Sequence, residues 1–167
     1  MRLALLAALA LAAPAAAETL RLPGLAPDAP APALACENVP FDAANCVRVL
    51  ACVGDAGDWF DGEARGWDTG AVAGRLHGAA AAPVPCEGTW DSRSRPGVSR
   101  LACADGTGID VIYTSIDNET GTVIGAGRAT DGRMVRAWSG LEVLAFLTPD
   151  GRVDAELSCG SVTIPIS

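Results

Sequence analysis

Apolar and polar residues alternate with period two over much of this chain. Val153, Ala155, Leu157 and Cys159 fall on one side of an extended segment, and Asp154, Glu156 and Ser158 on the other. Val47, Val49, Ala51 and Val53 alternate in the same way with Arg48 and Leu50. Successive side chains of a strand point to opposite faces, so this pattern predicts half-buried β-strands. Residues 109–116, IDVIYTSI, are rich in β-branched side chains, which pack well on a pleated surface and poorly in a helix. The run 141–147, LEVLAFL, is apolar on both faces, which predicts a central strand.

Between these runs lie the turn pairs Asp105-Gly106, Asn118-Glu119, Asp131-Gly132 and Asp150-Gly151. Glycine accepts the positive φ that a tight hairpin needs. The spacing predicts about nine or ten short strands. The expected fold is all-β, an antiparallel meander closing into a barrel or sandwich. VRVLACVGDAG (47–57) aligns with VSRLACADGTG (98–108), and Gly62, Arg65 and Asp68 align with Gly125, Arg128 and Asp131. Two related β units, about 46–91 and 98–164, would produce such a repeat; Gly-rich meanders also look alike without one.

Composition changes at the ends of the chain. Arg2, an apolar run from Leu3 to Ala13, Pro14 and then Ala15-Ala16-Ala17 have the layout of a secretory signal peptide, residues 1–17. The apolar run is shorter than the ~20 residues of a membrane-spanning helix. Residues 18–35 are rich in Pro and Ala and read as an extended linker. Residues 36–167 then form a single β domain, large enough for a core. The whole chain carries a formal charge of −8, and all its basic side chains are Arg. Such an acidic chain is a poor ligand for nucleic acid or an anionic lipid surface. The expected partners are a protein or a cell-envelope glycan, in the periplasm or outside the cell, with no membrane insertion after processing. The texture resembles that of glycine-rich secreted β proteins of bacteria.

All six cysteines, Cys36, Cys46, Cys52, Cys86, Cys103 and Cys159, lie beyond the signal segment. An even count behind an export signal predicts three disulfides. Zinc would want close cysteine pairs with histidines nearby, and His77 is the only histidine. No metal or other cofactor is therefore expected. A hairpin centred on the SRSRPG turn sets Cys86 directly opposite Cys103 and Gly88 opposite Leu101. That favours Cys86–Cys103, with Cys36–Cys46 closing a local loop and Cys52–Cys159 remaining. The repeat favours instead Cys52–Cys86 with Cys103–Cys159.

Four constellations could carry chemistry. Asp68-Thr69-Gly70-Ala71 resembles the D-T-G-A signature of retropepsin-like aspartic proteases, and Val123-Ile124-Gly125 is similar to that family's apolar-apolar-Gly segment. The resemblance implies a catalytic Asp68 sharing a proton with a second aspartate. One D-T-G requires a homodimer to supply the pair, and Arg65-Gly66-Trp67 stand where the family has apolar residues. The plainer reading is a polar hairpin turn. Second, Asp55, Asp58, Asp61 and Glu63 form an acidic segment. Asp55, Asp58 and Asp61 are weak candidates for calcium. Asp61 and Glu63 share a strand face at about the carboxylate separation of an inverting glycosidase; otherwise the segment is a solvated turn. Third, Trp59 and Trp67 flank these acids and could form a ligand-binding face, although Trp is more often core, as for Trp90 and Trp138. Fourth, Cys103-Ala104-Asp105, Ser139-Gly140 and Cys159 resemble the membrane-bound lysozyme inhibitor family over residues 103–159. That resemblance implies a secreted antiparallel barrel in which Ser139 and Gly140 lie on the loop that plugs the lysozyme cleft.

No nucleophile elbow, zinc-protease motif or phosphate loop is present. The sequence thus points first to an exported non-catalytic β module that binds, and by binding could inhibit, a protein or glycan. The alternative is a secreted hydrolase acting through Asp68.

Overall fold

The computed structural model describes residues 36–78 and 81–166. The signal segment 1–17 and the linker 18–35 lie outside the described residues. Eight antiparallel strands follow one another around a closed barrel: β1 (Cys46–Val53), β2 (Asp58–Trp67), β3 (Thr69–Gly78), β4 (Ala81–Asp91), β5 (Gly97–Cys103), β6 (Gly108–Asp117), β7 (Thr122–Ala129) and β8 (Met134–Gly140). The barrel closes where β8 pairs with β1, Val49 opposite Ser139 and Val53 opposite Val135. A short helix α1 (Val143–Phe146) and a hairpin, β9 (Ala155–Cys159) with β10 (Val162–Ile166), complete the chain.

Alternation along each strand decides what fills the interior. Val49, Ala51 and Val53 of β1 point inward, joined by Phe60, Val72, Leu76, Ile109, Val111 and Val135 from around the wall. Glycines make room for the larger of these. Gly62 and Gly74 are cross-strand partners, and a Cβ on Gly62 would lie 2.6 Å from Phe60 Cζ. At Gly125 a Cβ would lie 2.7 Å from Val111 Cγ1 and 2.8 Å from Tyr113 Cδ1. Inward-facing glycines of this kind also let strands coil tightly enough to close a small barrel.

The outer face of β1 is buried as well. Leu50, Cys52 and Trp138 meet Val143, Ala155, Leu157, Cys159 and Ile166, forming a second core between the barrel wall and the C-terminal segment. Elsewhere the outer wall carries charge, including Arg48, Asp61, Glu63, Arg100 and Asp110. Charge outside and apolar side chains inside is the reverse of a membrane-spanning barrel. No helix among the described residues is long and apolar enough to cross a membrane.

Three disulfides staple the fold: Cys36–Cys46, Cys52–Cys159 and Cys86–Cys103. Cys86 does face Cys103, and Gly88 faces Leu101, in the β4–β5 hairpin. The pairing that follows from the repeat is absent. Three such bonds place the folded chain in an oxidising environment.

Two sequence expectations are corrected. Residues 141–147 do not form a strand: α1 occupies their centre, with Val143 buried and Leu144, Phe146 and Leu147 packed on the second core. The run is apolar on both sides because it is wedged between barrel and hairpin. The aligned segments also do not occupy equivalent places. Leu50 and Cys52 face outward into the second core, whereas Leu101 and Cys103 face the barrel interior. Gly62 and Arg65 lie in β2 and their matches Gly125 and Arg128 in β7.

Candidate functional site

The two ends of the barrel differ. At one end the interior is filled by Val53, Phe60, Leu76, Ile109 and Val135, with Cys86–Cys103 beside them. At the other end the same alternation brings inward mostly small residues: Ala64, Gly66, Gly70, Gly97, Gly125 and Ser139. Small residues leave space. A cavity of about 910 Å³ opens here, walled by Val47, Ala64, Trp90, Val98, Tyr113 and Val123.

Polar groups in this end are few and placed. Ser99 is buried, and its hydroxyl lies 3.4 Å from the Tyr113 hydroxyl. Burial pushes the Tyr113 phenol above its ordinary value, against a smaller opposing effect of the Ser99 bond. The phenol is therefore neutral at physiological pH, able to donate or accept. Trp90 fixes its indole by donating Nε1–H to the Arg65 carbonyl at 3.0 Å; a Cβ at Gly70 would press to 3.0 Å from that nitrogen.

Residues 36–45 run along one side of the opening. The buried Asn45 holds them: its Nδ2 donates to the Gly66 carbonyl, and its Oδ1 accepts from Asn38 Nδ2 and the Val39 amide. Cys36–Cys46 fixes the far end of this strap. On the other side is the β4–β5 loop. There Arg93 pairs with Asp91 at 2.7 Å, and its hydrogen bonds hold the Asp91 carboxyl down at about 2.

The residues singled out from sequence scatter across this frame. Asp68 is exposed, alone between β2 and β3, at φ 63°; its carbonyl accepts from the Ser92 amide and hydroxyl. It therefore lies on a turn at the cavity lip. A proton-sharing dyad needs shelter from water, and this position gives none. Trp67 also lines the lip, partly exposed. Ser139 lies in β8, buried at the cavity wall, with Gly140 next to it. The loop that the resemblance implied is thus strand, and Ser139 has no exposed loop from which to reach a cleft. Cys103 is bonded to Cys86, so the Cys103–Cys159 bridge expected from the repeat is absent.

The acidic segment divides among separate arginines. Asp61 forms a two-pronged pair with Arg48 at 3.0 and 2.9 Å, Glu63 pairs with Arg65, and Asp58 pairs with Arg133 at the packed end. Asp55 is exposed on the β1–β2 turn. These carboxylates share no common point where one calcium could sit. Among the described residues, the one grouping with metal-ligand spacing is Cys36, Cys46 and Glu63, and both of its sulfurs are in a disulfide. Trp59 is on the outer wall, stacked on His77 at 4.3 Å and packed against the second core.

Sequence reasoning passed over Tyr113, Ser99, Asn45 and Phe41. Tyr113 had a signal: it is the single tyrosine of the chain, set in a run of apolar inward positions where its hydroxyl needs a partner.

No protein-family model and no curated protein matches the chain. Among solved structures it is similar to a de novo designed fluorescence-activating β-barrel, at 14% identity and a TM-score of 0.46, over 57% of this chain and 89% of that one.

Proposed function

We propose that this protein is an exported binding barrel that takes a small, largely apolar molecule into the open end of the barrel. The carrying observation is the cavity of about 910 Å³ between Val47, Ala64, Trp90, Tyr113 and Val123. Its size falls within the ~300–1,000 Å³ of sites for small ligands, which are apolar with a few placed polar groups. Eight strands are also the number that leaves an interior able to hold one small ligand. The signal-like segment 1–17 and the three disulfides support export to the periplasm or beyond.

A protein or glycan partner, the reading favoured by sequence, has less behind it. Ser139 is buried, and Trp59 is stacked on His77. The hydrolase reading keeps only Asp68, which is exposed.

The test uses diphenylhexatriene, a neutral apolar rod that fluoresces when shielded from water. The mature protein is expected to bind it at one site. Val123→Trp should fill the cavity and lower affinity at least tenfold, with the folded signal in circular dichroism retained. Ser139→Leu, at a second position on the same wall, should act in the same direction. Equal binding by both folded variants would overturn the proposal.

A further inference from the structure

The rim of the opening carries a feature that packing does not explain. Phe41 is 85% exposed and has φ 65°. An aromatic residue gains nothing from water and is strained at positive φ. Glycine or asparagine would suit this position better. Phe41 nevertheless lies against Trp67, ring centroids 4.7 Å apart and tilted by 46°. Trp67 in turn lines the cavity lip. The strap that bears Phe41 is held by Asn45 and Cys36–Cys46, so the pair is presented rather than loose.

Carboxylates outnumber cations at this end. The loops and strand ends there bring Glu37, Asp42, Asp68, Asp117, Glu119 and Glu142. Thr120 donates its amide and hydroxyl to Asp117 and lowers that carboxyl's pKa. Against the carboxylates stand the two arginines of the β4–β5 loop: Arg93 is engaged by Asp91, and Arg95 lines the cavity beside Pro96. The loops around the two aromatic faces therefore carry a net negative charge, with Arg95 the one cation lining the cavity.

Resting on the binding reading above, we infer that the ligand is a cationic amphiphile: its apolar body enters the barrel, and a bulky ammonium-type headgroup stays at the rim against Phe41, Trp67 and Asp68. An ammonium over aromatic faces is attracted by the ring quadrupoles, and quaternary ammonium groups are recognised in this way. The excess of carboxylates on the surrounding loops adds attraction and speeds encounter. The reverse orientation would carry a charge down to neutral Ser99 and Tyr113, where no carboxylate compensates its desolvation. An anionic headgroup would find Arg95 alone to pair with and would be repelled by the surrounding excess of carboxylates.

Three derivatives of one fluorophore separate the possibilities: neutral diphenylhexatriene, its trimethylammonium form and its propionate form. The ammonium form is expected to bind at least tenfold more tightly than the propionate at low salt, with the gap narrowing at high salt. Phe41→Gly should narrow the gap at constant salt while leaving affinity for the neutral rod within about twofold. Its melting temperature should stay the same or rise, because the strained φ is relieved. A lower melting temperature in Phe41→Gly would make Phe41 a packing residue and overturn the inference. Propionate binding as tightly as ammonium would overturn it too while leaving the apolar site standing. Failure of all three to bind removes the site and the inference together.

Discussion

Asp68 shows how a single backbone angle changes what a surface residue means. Read from sequence, it is an ordinary turn residue, and Asp68→Ala should then shift stability by no more than about 0.5 kcal/mol. Its φ of 63° alters that expectation. Aspartate tolerates the left-handed region better than alanine does, and glycine tolerates it without strain. Asp68→Ala is therefore expected to cost about 0.5–1 kcal/mol, and Asp68→Gly to be neutral or stabilising. Urea denaturation of the three proteins checks the order. Alanine equal to or more stable than glycine would show that the backbone angle is not what matters there. The same angle explains why Phe41 was not legible. In ENVPFDAANC, Phe41 stands with Val39, Ala43 and Ala44 among polar residues, and neither its φ nor its contact with Trp67 has a sequence signature. Tyr113 was half legible: alternation in 109–116 set its face, but the partner Ser99 comes from a neighbouring strand.

At the scale of elements, strands were easy to read and the C-terminal segment was not. Period-two alternation and Asp-Gly turns mark a strand locally, without reference to the rest of the fold. The β4–β5 hairpin even yielded its disulfide, because register follows from the turn's centre. Residues 141–147 failed because apolarity on both sides describes a central strand and a wedged helix equally, and seven residues are too few to separate the periods. What surrounds α1 is decided by Cys52–Cys159, a link across 107 residues. That bond fastens the β9–β10 hairpin over Leu50 and Trp138. The barrel ladder itself closes without the hairpin. Replacing both cysteines by alanine is therefore expected to lower stability by about 2–4 kcal/mol. The loss should appear first as faster amide hydrogen exchange in β9 and β10, with β1–β8 still protected. Uniform loss of protection along the chain would instead show that barrel and hairpin unfold as one unit.

For the whole molecule, the two ends of the barrel divide the work. The packed end, with its disulfide and its dense side chains, supplies stability; the open end leaves space where a core would normally be. Well-packed interiors hold few voids larger than a water molecule, so an open cavity of about 910 Å³ represents burial that the sequence forgoes. Filling it should then raise stability and lower binding together. Ala64 is buried on the cavity wall between Val47 of β1 and Val72 of β3. Ala64→Leu adds three carbons, each worth about 0.8 kcal/mol when buried. Allowing for imperfect fit, the net gain is about 1 kcal/mol, the usual yield of a cavity-filling change. In a domain of this size that corresponds to a rise of about 2–4 °C in melting temperature. Diphenylhexatriene affinity should fall tenfold or more in the same protein. A tightly packed site responds in the opposite sense, because an extra side chain forced into a full core costs about 1–3 kcal/mol. A drop in melting temperature of that order in Ala64→Leu would mean that the open end is already full, and the binding barrel would have no room for its ligand.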